Sequence, residues 1–237
     1  MRYAVISDIH GNLEALKSVL KSIKKNGVDE ILCLGDIVGY GPNPNECVER
    51  IKKMGIKTVV GNHDYVMVDD SWLEHFNPAA KLAALWTKAL LKSENLQYLA
   101  CLPFTVRLPD ILLVHGSPIK PGRFHYIFNA IEALSQLNGF QEKICFVGHS
   151  HYPAIFTSDG DVFKDGAELK DSVRYIINVG SVGQPRDKNP SACYGLLDTD
   201  SLTFSLVRID YYIKKTAKKI MKAGLPVFLA ERLFEGR

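Results

Sequence analysis

Five of the seven histidines in this 237-residue chain fall inside short polar clusters: His10 in SDIHGN, His63 in GNHD, His115 in HGSP, and His149 and His151 in GHSH. Only His75 and His125 lie elsewhere. The same clusters hold Asp8, two residues before His10, Asp36 in GDIVGYG, and Asn62 beside His63. Singly, each has an ordinary explanation. An Asp-x-His pair on a surface needs no ligand, Asp36 and Asn62 suit turns, and His115 fits a satisfied core position. Ordinary explanations at five successive clusters account poorly for the whole. Imidazole, carboxylate and amide oxygen without thiolate suit Mn, Fe, Zn or Co better than Ca or Mg. Seven candidate ligands exceed the three plus water, or four, that one zinc-like ion takes. If Asp36 bridges, the seven supply four bonds to each of two ions. A two-ion centre clamps the attacking and leaving oxygens of a phosphoryl displacement.

Most of the clusters end apolar runs of strand length. The runs are Tyr3 to Ile6, Ile31 to Leu34, Thr58 to Val60, Ile111 to Val114, Ile144 to Val147 and Tyr175 to Val179. They are rich in β-branched residues and do not alternate, as strands buried on both faces would be. Asp8 and His10, two apart, would project to one side of an extended backbone. Between the first runs lie helical patterns. Asn12 can cap a helix with Leu13, Leu16, Leu20 and Ile23 on one face, ended by Asn26-Gly27. A second helix starts at Pro44, buries Val48 and Ile51, and stops before Gly55. The first half therefore reads as α/β with a largely parallel sheet, whose strand ends are where such sheets bind ligands. Pro78 to Lys92 predicts a helix facing inward through Leu82, Leu85, Trp86 and Leu90, and Asn129 with Glu132 a capping box. After His151, Asp159-Gly160 and the DTDS of 198–201 read as hairpin turns, which predicts a second, more antiparallel sheet. From Tyr211 to Gly224 a helix carries Lys214, Lys215, Lys218, Lys219 and Lys222 opposite Ile213, Ala217, Ile220 and Met221. That face reads as solvated.

With 46% hydrophobic and 23% charged residues the chain can bury a sizeable core, so disordered and fibrous classes are excluded. Its length suits a single domain over 1–237, with the motifs inside 1–185 and a helical tail over 211–237. A net charge of +3 is too mild to argue for nucleic acid, which is not expected as a partner. Five cysteines, odd in number and never in CxxC, read as cytosolic thiols. MRYAVISDIHG is a poor signal peptide, and no apolar run approaches the roughly 18 residues of a membrane helix. A cytoplasmic protein without membrane contact is expected. GDIVGYG is not a nucleotide loop, because no GK[ST] follows it and no GxGxxG opens a helix. Asn12 reads as a cap and Tyr40 as a pocket wall.

Taken in order, Asp8-x-His10, Gly35-Asp36, Gly61-Asn62-His63-Asp64, His115-Gly116 and Gly148-His149-x-His151 resemble the five motifs of the calcineurin-like metallophosphoesterases. SDIHGNLEAL, GDIVGYGPNP and NVGSVGQPRD are similar to the prokaryotic branch labelled YfcE-like or diadenosine-tetraphosphatase-like. The resemblance implies a four-layer α/β/β/α sandwich of two mixed sheets flanked by helices. It implies Asp8, His10 and His151 at one metal, Asn62, His115 and His149 at the second, and Asp36 at both, with Mn or Fe favoured. His63 would face the scissile phosphate of a phosphoester substrate, with Asp64 orienting its ring and raising its pKa. A metal-bridging hydroxide would be the nucleophile. The family's protein phosphatases carry arginines after Gly-Asp and before Gly-Asn-His, and this chain lacks both; Arg123 and Arg186 are the candidate replacements, unless each forms an ordinary loop salt bridge. A diester carries one negative charge and a monoester nearly two, so the missing arginines favour a phosphodiesterase. The alternatives are a monoesterase or protein phosphatase, a dinucleoside polyphosphate hydrolase, or a non-catalytic scaffold of the same fold. The scaffold is disfavoured by His63 with Asp64, and a nuclease by the modest charge and the lack of an added DNA-binding domain.

Overall fold

The computed structural model describes residues 1–237. In chain order its elements are β1 (Arg2–Ile6), α1 (Leu13–Lys25), β2 (Glu30–Cys33), α2 (Pro44–Lys53), β3 (Lys57–Thr58), α3 (Asn62–Tyr65), α4 (Pro78–Leu90), α5 (Ser93–Ala100), β4 (Thr105–Leu108), β5 (Ile111–Val114), α6 (Ala130–Gln136), β6 (Ile144–Val147), β7 (Ala154–Thr157), β8 (Val162–Phe163), β9 (Gly166–Glu168), β10 (Tyr175–Asn178), β11 (Ala192–Asp198), β12 (Thr203–Ile209), α7 (Ile213–Lys222) and α8 (Val227–Glu235). Short 3₁₀ turns occupy Asp70–His75, Pro121–Arg123 and Leu137–Gly139. The strands form two six-stranded mixed sheets, ordered β3-β2-β1-β11-β12-β9 and β4-β5-β6-β10-β7-β8.

Each sheet has a parallel trio, β1-β2-β3 in one and β5-β6-β10 in the other, so the carboxyl ends of a trio lie together. The sequence predicts a second, more antiparallel sheet after His151, and the topology instead divides the later strands between both sheets. Hairpin β11-β12 pairs antiparallel with β1, and hairpin β7-β8 with β10. A parallel trio leaves an unpaired strand edge, and the later hairpins satisfy those edges rather than pairing with each other.

Alternate residues of the central strands face different layers. Tyr3 and Val5, Leu32 and Leu34, Ile111 and Leu113, and Ile144 and Phe146 meet between the sheets. Ala4, Ile6 and Cys33 face α1 and α2, while Leu112, Val114, Cys145 and Val147 face α6. Both faces are dry, which is why these strands show no polar alternation. The architecture is the α/β/β/α sandwich that the motif resemblance implies.

The helix at Pro78–Leu90 is present, but its inward face differs from the leucine pattern. Ala80, Ala83, Ala84 and Thr87 are buried, while Leu82, Leu85 and Leu90 are 58, 47 and 48% exposed. Ala84 faces the core beside α2, while Ala80 and Ala83 face α7 and α8, which supply the bulk through Ile220, Leu229 and Leu233, so small residues suit that side.

The C-terminal helices are tied to the strand ends through Asn12. Its Oδ1 accepts from the Ala15 N–H at 3.1 Å, capping α1, and from the Thr216 hydroxyl of α7 at 3.0 Å. Its Nδ2 donates to the Gly183 carbonyl at 2.9 Å. Lys219 and Lys215 reach Glu14 of α1 at 2.7 and 3.2 Å; Lys215 is solvated as expected, while Lys219 is partly buried and ties α7 to α1. Asn12→Ala should remove the cap and strand the Thr216 hydroxyl and Gly183 carbonyl, at a cost of about 2 to 4 kcal/mol. A urea titration should record a lower midpoint at unchanged slope; an unchanged midpoint would mean that the junction does not stabilise the fold.

Candidate metal centre

The trios aim their loops at one place. Asp8 and His10 follow β1, Asp36 follows β2, Asn62 and His63 open α3 after β3, His115 follows β5, and His149 and His151 follow β6. None of these residues is more than 7% exposed. Their ligand atoms gather in three overlapping groups, each within 4.8 Å: Asp8 with His10 and His151, His10 with Asp36 and His63, and Asp36 with His115 and His149. The strand-pleat account of Asp8 and His10 is corrected by their backbone. Their φ angles are +52° and +48°, and Asp36, His149 and His151 are also left-handed, at +51°, +66° and +62°. Turning a non-glycine residue this way costs about 1 to 3 kcal/mol, and such strain collects at functional sites. The convergence therefore comes from tight turns rather than from extended chain.

Three imidazoles are oriented from behind. The Nδ1–H groups of His10, His115 and His151 donate to the carbonyls of Val38, Leu34 and Gln184 at 3.1, 2.7 and 2.6 Å. A carbonyl only accepts, so each Nδ1 carries a proton and each Nε2 points inward, as a lone pair at His10 and His151, which burial holds neutral. The Nε2 atoms of His10 and His151 then face each other at 3.1 Å, with Asp8 Oδ1 3.8 and 3.2 Å away. Facing lone pairs beside a carboxylate need a cation or a shared proton between them. Asp8 Oδ1, Asn62 Oδ1 and His115 Nε2 are buried without any hydrogen-bond partner. Orphaned donor atoms of these types, aimed into one small volume, fit divalent transition ions.

Burial opposes ionisation of Asp8 and Asp36, but the surrounding imidazoles outweigh it and hold both carboxyls well below the usual range. Burial likewise opposes the His115 cation, yet Asp36 at 3.3 Å, with Asp8 behind it, lifts His115 to about 9. His63 goes the other way: burial pushes it down to about 4, against the pull of Asp36. Its ring lies 4.9 Å from His10, 4.4 Å from Tyr40 and 4.5 Å from Phe76, and its Nδ1 has no partner. Tyr40 thus forms a wall. The ring fits because residue 39 is glycine; a Cβ there would collide with His63 Nδ1.

Asp64 does not orient that ring. Its Oδ1 accepts from the N–H groups of Ile37 and Val38 at 2.9 and 3.1 Å, and its Oδ2 from Gly61 N–H at 3.2 Å. Consecutive residues of a helix point in different directions, so His63 and Asp64 of α3 cannot share a face. The carboxylate instead clamps the Asp36 loop to the Asn62 loop, and the His63 N–H donates to Asp36 Oδ1 at 2.8 Å across the same junction. A side chain on Gly61 would collide with Asp36 Oδ1.

Arg186 approaches the cluster. Its guanidinium lies 6.0 Å from the Tyr40 ring, its Nη2 donates to Gln184 Oε1 at 3.1 Å, and its buried Nε has no partner. Arg123 lies apart, exposed on a cleft beside His63 and His149, and neither arginine forms a salt bridge. Two supports escape a reading based on ligand types. Asn178 donates to the Gly148 carbonyl and Ser150 Oγ at 2.6 and 2.9 Å, and Ser181 Oγ donates to the Asp8 carbonyl at 2.8 Å. The run NVGSVGQ, which ends a strand in the same manner as the ligand clusters, carries the signal for both.

Comparison with known proteins agrees with this geometry. MJ0912 of Methanocaldococcus jannaschii is 43% identical over 240 residues, covering 99% of this chain and 98% of that protein. The crystal structure of a metallophosphoesterase from Sphaerobacter thermophilus matches with a TM-score of 0.89 at 41% identity, covering 100% of this chain and 99% of that one. Escherichia coli K12 phosphodiesterase YfcE is 29% identical over 213 residues, 86% of this chain and 90% of its own. The family profile described as the calcineurin-like phosphoesterase superfamily domain matches residues 1–202, a span that takes in every strand end meeting at the cluster. The chain belongs to the calcineurin-like phosphoesterase superfamily.

Proposed function

We propose that the protein is a binuclear-metal-dependent phosphodiesterase. Asp8, His10 and His151 would hold one divalent ion, Asn62, His115 and His149 a second, and Asp36 both. When bound, such ions supply Lewis acidity toward a phosphoryl oxygen. The observation that supports an enzyme rather than a scaffold is the place of His63. It is buried against the cluster, lines the adjoining cleft, and keeps Nδ1 free of any partner. An imidazole held by edge-on and tilted ring contacts alone can adopt either tautomer and donate an N–H to a phosphoryl or leaving oxygen. The Asp64 clamp serves by fixing where Asp36 and His63 stand relative to each other. Arg186, with an unpartnered buried Nε, is the cation best placed to meet the ester's negative charge, and Arg123 lines the cleft further out. A single nearby guanidinium suits the one charge of a diester better than the nearly two of a monoester.

Elemental analysis after Mn loading and desalting should return about two ions per chain, since seven ligands with one bridge require that stoichiometry. Asp36→Asn should weaken both sites together, and a wild-type count of one would overturn the binuclear reading. His63→Ala should keep its ions while losing roughly 10² to 10⁴-fold in turnover, the usual worth of a positioned proton donor. Turnover at the wild-type rate on an alkyl-leaving-group ester would remove His63 from the chemistry. The test of ester class is kcat/KM for bis-p-nitrophenyl phosphate against p-nitrophenyl phosphate at one pH and one Mn concentration. The diester should be preferred; a monoester preference abolished by Arg186→Ala would make the protein a phosphatase with a relocated clamp.

A further inference from the structure

Next to His63 and His149 opens a cleft of about 270 Å³ walled by aromatic rings from outside every metal-binding motif. Trp72 and Phe76 come from the 3₁₀ turn at Asp70–His75 and the residue after it, and Phe124 and Tyr126 from the chain after Pro121–Arg123. Phe124 is buried, and Trp72 stands edge-on to it at 5.0 Å. Phe76 leans over His63 at 4.5 Å, while Tyr126 stacks on His149 at 3.8 Å with only 12° between the planes. Tyr126 is 47% exposed, with Phe128 also stacked on its ring at 5.2 Å and 16°, so it meets the cleft mainly with its edge, and Trp72 keeps one face on His75 at 4.7 Å. Aromatic rings thus run from the cleft up to His63 and His149, and a volume near the roughly 300 Å³ lower limit of ligand pockets suits one ring system. Ring faces of this kind bind flat, polarisable groups by stacking, without regard to their hydrogen-bond pattern.

We propose that this cleft receives a planar aromatic group of the ester, so that the enzyme selects phosphoesters bearing a nucleobase or an aryl ring over those with only alkyl or sugar arms. The proposal rests on the phosphoesterase reading and names the substrate class of the same site. Trp72 and Tyr126 are its specificity-determining residues.

The test is competitive inhibition of bis-p-nitrophenyl phosphate hydrolysis, with Mn supplied, by AMP, phenyl phosphate and ribose 5-phosphate. AMP should bind more tightly than ribose 5-phosphate by roughly 5- to 100-fold, the worth of stacking one base on an aromatic face. Trp72→Ala should bring that ratio close to one, and Tyr126→Ala, at a half-exposed position, should reduce it without endangering the fold. Phenyl phosphate tracking AMP would assign the cleft to aryl rings in general; phenyl phosphate tracking ribose 5-phosphate would assign it to nucleobases. Equal inhibition by AMP and ribose 5-phosphate in the wild type, or a ratio that survives both substitutions, would overturn the proposal. Absence of any hydrolysis would count against the phosphoesterase reading alone. The cleft is then tested by titrating AMP and ribose 5-phosphate against Trp72 fluorescence in a Trp86→Phe background, where a response to AMP only is expected and equal responses would overturn it.

Discussion

The structure is organised around one costly act, the burial of two carboxylates and several imidazoles within a few ångströms of one another. Charges taken out of water this way are tolerated only when each is paired and hydrogen-bonded. Here the pairing is mutual, since Asp8 and Asp36 face the Nε2 atoms of His10, His115 and His151. The hydrogen bonding comes from the backbone behind: three carbonyls hold the imidazoles, and the N–H groups of His63 and His149 hold Asp36 and Asp8. Parallel trios are the economical way to deliver so many loop backbones to one place, because all strands of a trio end on the same side.

Loops that must present both side chains and backbone groups inward cannot relax into ordinary turns. The left-handed φ angles at five of the seven candidate ligands are one result. A set of supports that touch no ligand atom is another. Asp64 gathers three N–H groups from two loops, Asn178 holds the His149 loop, and Ser181 and Asn12 tie the chain after β10 to the loop between β1 and α1. These residues act through other residues, and their worth lies in fixing geometry to fractions of an ångström.

Much of this was legible in the sequence. Strand-length apolar runs, the Asn12 and Asn129 caps and the two hairpin turns are local signals, and the structure places them where the residues suggest, except that of the run Thr58 to Val60 only Thr58 lies in β3. The histidine clusters were legible because the residue types are rare and recur at strand ends. What depends on distant partners was not. Whether a hairpin joins one sheet or another is decided by which edge is free, which no local pattern records. The inward face of α4 was misread because leucines normally mark the buried side, whereas here bulky residues of α7 and α8 already fill the space. Asp64, which the family resemblance sets behind His63, accepts instead from Ile37, Val38 and Gly61, because consecutive residues of α3 point in different directions. Trp72, Phe76, Phe124 and Tyr126 sit in segments with no periodicity, and only the fold brings them together.

The candidate ligands are drawn from both sheets: Asp8, His10, Asp36 and Asn62 follow strands of one, His115, His149 and His151 strands of the other. The cluster is therefore a rivet through the seam of the sandwich as well as a site. Anything that binds the assembled cluster and not the unfolded chain draws the two sheets together by mass action. Conversely, slippage between the sheets would disperse the candidate ligands. The affinity of the cluster for a cation and the integrity of the seam are then thermodynamically linked, so a change to the dry interface between the sheets, far from any polar residue, would be felt in how tightly a cation binds.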